Sequence, residues 1–511
     1  MPREHTSPDQ ETEMTYQVAQ RFFWLFISIH TLLWTIGPLL SRSSLPHDTL
    51  ESIAWGMQWQ LGYNKHPFLA AWLTAGISSL FHAVEWPVYL LAQLAVSITW
   101  ITVWRLARTM LPATQAVIAA LLLDGILFYN INSFNLTPDT LQSPLWALLT
   151  LSFYRALSTQ TIRYWLITGL LSALCIITKY QAILLLFPML LMCLTNKHAR
   201  ASFRHKGLYL GLITALIGIS PHMLWLYQHD FATVQYAISA PYHNNNHYAP
   251  MMSLLRYVLD SLGYIAGVLL LLWPFYGKEK MDYSTVPFDR QFLLYLGLGP
   301  FLLTCFCCFI SGEHFPARWS TPYFSLIGII AMTYMKPQIT PHQFKQFAIT
   351  LAIVSSLLWG IRIGSIATNP HSKSDAHLPN KAVATLLTQV WREHYQTPLP
   401  YIGGAHYLVA SSVAYCQDKP IPYFSFSQDE SPWLAEKDVT QKGALFVWDD
   451  DKNYDWDGYS PKISHPTPQI KQRFPNLILL GSRTFYRTNS DALPVKISIG
   501  LLPPAPSIVE R

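Results

Sequence analysis

Charged residues are scarce: Asp, Glu, Lys and Arg make up 13% of the 511 residues, where about 25% is usual in a soluble chain. That excludes a single water-soluble globule with an ordinary surface. Glycine is sparse as well, 24 residues against 35 prolines, and neither a Gly-rich phosphate loop nor a dinucleotide fingerprint is present, so a soluble-type nucleotide fold is unsupported. Six cysteines fall at 175, 193, 305, 307, 308 and 416. Five lie inside apolar runs and Cys416 stands alone, which indicates neither a disulfide framework nor a zinc ribbon. The formal net charge of +6 comes from Lys and Arg scattered between apolar runs, whereas a nucleic-acid binder gathers them on one face. Nucleic acid is therefore not an expected partner.

What the chain has in abundance is apolar length. Hydrophobic residues make up 51% of it, in about eleven runs long enough to cross a bilayer as helices. They lie near 22–40, 87–105, 114–129, 140–157, 163–178, 181–195, 208–227, 254–274, 291–310, 319–335 and 347–366. The first follows a polar head and is not succeeded by a small-residue cleavage pattern, so it reads as a retained signal anchor. The apolar stretch 68–84 decides the topology, since counting it as a span reverses every later loop. With that stretch at the interface, Arg105 and Arg108, Arg163, the group Lys197, Arg200, Arg204 and Lys206, the group Lys278, Lys280 and Arg290, and Lys336 with Lys345 all face the cytoplasm, as the positive-inside rule requires. Segments 41–86, 130–139, 228–253, 311–318 and everything beyond about residue 367 then face outward.

The last region is long enough for its own domain. Short apolar runs at Tyr401 to Gly404, Ala444 to Trp448 and Leu477 to Leu480, bounded by Gly, Pro and Asp, with a helical stretch at Lys381 to Tyr395, predict a small α/β domain. The division expected is thus a membrane domain over 1–366 and an outer domain over 367–511.

The outward loops hold the chemistry. In the first, Asp48 and Glu51 stand three apart, so both carboxylates project from one side of a helical turn if a helix starts there; an N-cap Asp with a capping-box Glu explains the same pair. Tyr63-Asn64-Lys65-His66-Pro67 offers a point charge and an imidazole suited to a phosphate, although a lysine that only snorkels fits too. Asp139 follows Thr137-Pro138 at the outer start of a span, a place favourable for an acid in itself. Lys179 and Tyr180 fall between two spans on the same face, where a lysine needs a partner. Glu313-His314-Phe315-Pro316-Ala317-Arg318-Trp319 makes a polar turn in which Arg318 could fork onto a phosphate or anchor at the interface. The outer loop from Tyr227 to Tyr248 carries Asn and His suited to sugar hydroxyls, but His243 and His247 lack a carboxylate in register for a metal. Asp455-Trp456-Asp457 resembles a metal-binding acid pair; as a calcium loop it fails, because the twelfth position is Ser464. No metal site and no cofactor is assigned, and a divalent cation remains an open question.

Asp48 with Glu51, Gly62-Tyr63-x-Lys65-His66-Pro67, Thr137-Pro138-Asp139-Thr140-Leu141, Thr178-Lys179-Tyr180, Pro221-His222-Met223-Leu224-Trp225 and Pro316-Ala317-Arg318-Trp319 come in an order that resembles glycosyltransferase family 39 of the GT-C superfamily, the protein O-mannosyltransferases and the bacterial aminoarabinose and lipid A transferases. The resemblance implies a mostly α, polytopic GT-C fold with interfacial helices and a small C-terminal α/β periplasmic domain. It implies Asp48 as the catalytic carboxylate, Asp139 as a second acid shaping the site and Lys65 on the carrier phosphate. Two departures stand out. Thr49, not an acid, follows Asp48, which leaves the part played by Glu51 open, and Phe68 replaces a second proline after Pro67.

The expected activity is transfer of a sugar from a polyprenyl (undecaprenyl) phosphate carrier to lipid A or a related envelope glycolipid at the periplasmic face of a bacterial inner membrane, with inversion as the family expectation. Asp48, Glu51 and Asp139 are the catalytic candidates, and Tyr63, Lys65, His66, Lys179, Tyr180, His314 and Arg318 the substrate-binding ones. Protein O-mannosylation is the alternative within enzymes. A lipid or sugar transporter is the alternative outside them, although two related halves, frequent in transporters, are not evident.

Overall fold

The computed structural model describes residues 8–239, 249–277, 280–281, 286–313, 315–368, 375–449, 468–487 and 494–506. The chain packs into two compact units: Met1–Ile36, Tyr89–Leu224 and Ala237–Arg362 form one, and Gly37–Val88, Trp225–Tyr236 and Ile363–Arg511 the other. The second therefore joins the C-terminal region with the stretch around Asp48 and a short piece near residue 230.

The first unit is helical. Helix, α or 3-10, covers most of each expected apolar run, but among the described residues full membrane length and apolarity coincide in six: Met14–Ser41, Trp86–Ala107, Lys206–Gln228, Pro250–Leu271, Pro287–Ser311 and Pro341–Thr368. A bent pair, Tyr180–Thr195 with Lys197–Arg204 at 88°, makes a seventh if it counts as one span. The remaining runs fall short for identifiable reasons. Ala113–Leu121 gives way to 3-10 turns at Leu122–Gly125 and Leu127–Tyr129. Ile162–Ile176 has 15 residues, about 22 Å of helix against a hydrocarbon core of about 30 Å. Pro138–Thr159 is long enough but buries Gln142, Ser143, Thr150 and Ser152. Leu69–Leu80, inside the stretch left out of the spans, is a 12-residue helix, also too short to cross.

Small residues let these helices approach closely. A Cβ on Gly169 would lie 2.0 Å from the carbonyl oxygen of Gly211, and one on Gly267 2.5 Å from that of Gly125, the kind of contact that replaces hydrophobic driving force inside a bilayer.

The second unit is built on a five-stranded sheet of order β2-β1-β3-β5-β4: β1 is Tyr401–Gly404, β2 Ile421–Phe424, β3 Ala444–Asp449, β4 Ile478–Phe485 and β5 Val495–Leu502. β1 runs parallel to β2 and β3, while β5 is antiparallel to β3 and β4. The helix His406–Tyr415 makes the crossover from β1 to β2. Gly404 ends β1 at φ +147°, and a Cβ there would meet the Val447 carbonyl oxygen at 1.9 Å, so the turn from strand to helix needs glycine.

Candidate functional site

Within the second unit, Pro46 is the N-cap of the helix His47–Gly56 and no side chain caps it. The orphan N–H of His47 instead donates to Asp375 Oδ2 at 3.1 Å, and Asp375 also accepts from Arg42 at 2.6 Å, so the helix start is satisfied by a residue distant in sequence. The capping-box reading of Asp48 and Glu51 thus fails. Both acids bond elsewhere, one turn apart.

Glu51 is buried and takes two cations on one oxygen: Lys65 Nζ at 2.6 Å and His406 Nε2 at 2.5 Å. The other ring nitrogen of His406, Nδ1, lies 2.9 Å from Glu430 Oε2, which also accepts from Ser425 Oγ at 2.9 Å. A histidine held between two carboxylates donates from both nitrogens and is therefore an imidazolium. Burial opposes every one of these charges, and the mutual attraction wins: Lys65 and His406 bring the Glu51 carboxyl down to about 2. Burial and Lys65 oppose the His406 charge, yet Glu51 and Glu430 raise its pKa. The Lys65 ammonium, disfavoured by burial, is likewise held charged chiefly by Glu51.

Local packing explains how Lys65 gets there. Gly62 and Pro67 form an antiparallel bridge and the Tyr63 N–H donates to the His66 carbonyl at 3.0 Å, closing a tight turn with Lys65 at its tip. Trp225 sits where a Cβ on Gly62 would be, at 2.3 Å. Tyr63, fully buried, stacks on Trp55 at 5.4 Å, and His66 meets Tyr236 edge-on at 6.3 Å. Both are therefore wall residues of the turn. Lys65 lies over the Tyr407 ring at 5.3 Å, and the Tyr407 hydroxyl donates to Asp48 Oδ1 at 3.3 Å. Asp48 is half-buried beside this network.

His406, Tyr407 and Glu430 were missed in the sequence. A signal existed, since they follow the carboxyl ends of the parallel strands β1 and β2, where open α/β sheets place ligand-binding groups.

The first unit has a second polar cluster. Thr137 caps Pro138–Thr159, accepting from the Thr140 N–H, so Asp139 enters the first turn of a helix with its carboxylate unused by the cap. Lys179 Nζ donates to Asp139 Oδ1 at 2.7 Å and lies 5.3 Å from the Trp319 ring centroid, which supplies the partner the lysine requires. Gln142 fixes the turn beneath it by donating to the carbonyls of Cys175 and Lys179 at 2.7 and 3.1 Å. Tyr180 OH and His222 Nε2 are hydrogen-bonded at 2.5 Å. Arg318, on the 3-10 turn Ala317–Ser320, is exposed. His314, His243, His247 and the Asp455-Trp456-Asp457 turn lie outside the described residues. Among those described, no three His, Cys, Asp or Glu are arranged to hold a metal ion.

Residues 65–225 match the family model described as dolichyl-phosphate-mannose-protein mannosyltransferase, a segment that contains Lys65, His66, Asp139, Lys179 and Tyr180. No curated protein sequence matches the chain significantly. Among solved structures, ArnT from Cupriavidus metallidurans bound to undecaprenyl phosphate superposes with a TM-score of 0.62 at 12% identity, covering 94% of this chain and 98% of ArnT. The apo state of the same protein gives a TM-score of 0.57 at 12% identity, over 96% of this chain and 100% of ArnT. At that identity the likeness speaks for the fold. The matched segment marks the chain as a glycosyltransferase, similar over residues 65–225 to the dolichyl-phosphate-mannose-protein mannosyltransferases, and the shared architecture gives it an ArnT-like GT-C fold.

Proposed function

We propose that this protein moves a sugar from undecaprenyl phosphate to lipid A or a related envelope glycolipid at the periplasmic face of the inner membrane, its N-terminus cytoplasmic and its C-terminal region periplasmic. The carrier is inferred from the ArnT structure that holds undecaprenyl phosphate. The observation that carries the reading is the placement of Asp48 beside a lysine whose charge is secured by a buried, ionised Glu51.

The chemistry divides between these residues. The acceptor oxygen attacks the anomeric carbon while the bond from that carbon to the carrier phosphate breaks, its electron pair leaving on polyprenyl phosphate. Asp48 accepts the acceptor's hydroxyl proton, the work of a general base. Where the acceptor is already a phosphate oxygen, Asp48 orients it and offsets positive charge on the ring. Lys65 spends one N–H on Glu51 and keeps two to stabilise the departing phosphate as charge builds on it. Glu51 is held too firmly ionised to take a proton near neutral pH; its part is to hold Lys65 and His406. Asp139 and Lys179 form a second acid–lysine pair, within the first unit, and attack from the face opposite the leaving phosphate gives inversion.

The test is transfer by the purified chain in nanodiscs, with labelled undecaprenyl phosphate sugar and either lipid A or a Ser/Thr peptide. Label is expected in lipid A, and not with Asp48→Asn. Label only in the peptide supports protein O-mannosylation, which the description of the matched family model favours. Vesicle uptake of sugar without bond cleavage would sink both.

A further inference from the structure

In the first unit, the helices Trp86–Ala107, Pro138–Thr159 and Ile162–Ile176 and the segment around Tyr16 line an open cavity of about 660 Å³. It takes no part in the chemistry above. Three arginines line it: Arg105 and Arg108 at and just past the end of the first of these helices, and Arg155 in the last turns of the second. Among the described residues no carboxylate pairs with any of them. Arg108 is braced against the Tyr16 ring at 5.0 Å, and the buried indole N–H of Trp104, also in the lining, has no hydrogen-bond partner among the described residues. Leu148, Leu151, Ile167 and Leu171 give the same cavity an aliphatic lining.

Arginines at one end of a helix are ordinary anchors on the cytoplasmic side. Three of them around one cavity, with an unsatisfied donor and no acid, leave positive charge that an anion would balance. Guanidinium forks match phosphate oxygens two at a time, and the aliphatic wall suits a hydrocarbon chain, which a free ion lacks. Basic pockets between membrane helices on the cytoplasmic side are suited to anionic headgroups. We propose that this cavity binds an anionic phospholipid of the inner leaflet, its phosphate on Arg105, Arg108 and Arg155 with Trp104 as a further donor, and an acyl chain along Leu148.

The experiment is native mass spectrometry and thermal unfolding of the full-length chain in detergent, with added phosphatidylglycerol, phosphatidylcholine or inorganic phosphate. Phosphatidylglycerol is expected to stay bound and raise the melting temperature, with the other two inert. Replacing Arg105, Arg108 and Arg155 together by Gln should weaken that binding by about tenfold or more, roughly the loss of one charge-assisted contact. Leu148→Trp fills the aliphatic wall with every arginine intact and should weaken it too, which keeps the test decisive if the triple variant does not fold. Equal response to phosphatidylcholine or inorganic phosphate, unchanged binding in Leu148→Trp, or displacement by undecaprenyl phosphate at a small fraction of the phospholipid concentration would each overturn the proposal.

Discussion

Each unit contains a lysine bound to one carboxylate oxygen and lying over an aromatic ring: Lys65 on Glu51 with Tyr407, and Lys179 on Asp139 with Trp319. The lysine ends are equally exposed, 16% in both, but the acids differ, 5% for Glu51 against 19% for Asp139. Glu51 also carries a second cation, His406, itself clasped by Glu430. A desolvated carboxylate with two cations is fixed in charge and position, whereas a partly wet carboxylate at a helix start can exchange its partner for a substrate. The first pair is a scaffold beside Asp48, and the second is an adjustable contact.

Experiments can break that contrast, beginning with the strongest. Asp48→Asn should lower turnover by about 10²–10⁴-fold, the usual worth of a positioned base, with carrier binding nearly intact; a matching loss in Glu51→Gln with normal stability would move the base to Glu51. Lys65→Met leaves Glu51 buried with one cation fewer and should cost about 3 kcal/mol of stability, against about 1 kcal/mol or less for Lys179→Met. Equal melting shifts for the two would erase the distinction. Asp139→Asn is expected to raise the KM for carrier or acceptor about tenfold while kcat changes little, the signature of lost ground-state binding.

The titration of the scaffold sharpens the same point. The Glu51 pKa is depressed from 4.5 to about 2, so its contribution to stability is present above 4.5 and disappears as pH falls toward 2. The His406 pKa is raised above 6.5, so its contribution is present below 6.5 and disappears as pH rises through the folded value. Melting temperature against pH should fall on both sides of that interval, and His406→Gln should flatten the alkaline side. An unchanged alkaline limb in that variant would show that His406 is not the group responsible.

Much of the membrane part was legible, because apolar runs announce helices whatever their partners. Span length was not, since the run 114–129 breaks into 3-10 turns after Leu121 and Ile162–Ile176 stops at 15 residues, neither of which an apolar count announces. In the C-terminal region β1 was read at its actual limits and β3 nearly so, whereas β2 has Pro422 inside it, and β5 was not read although Val495, Ile497 and Ile499 alternate with Lys496 and Ser498. Asp48, Lys65, Asp139 and Lys179 were found from loop placement and charge. His406 escaped because its partner Glu51 lies 355 positions away, and nothing local in Gly-Gly-Ala-His announces an ion pair at that distance.

That separation has a consequence in time. Ribosomes add about 5–20 residues per second, so the imidazole that completes the Glu51 pair is made roughly 20 to 70 s after the carboxylate itself. Through that interval the segment around Asp48 has already left the ribosome with only half of its counter-charge, and the second unit cannot close until its larger, C-terminal part has been synthesised and delivered to the same side of the membrane. Assembly of this site is therefore an event at the end of biogenesis, so that a chain stalled between Thr368 and His406 holds its candidate membrane helices and only the Lys65–Glu51 half of the ion network.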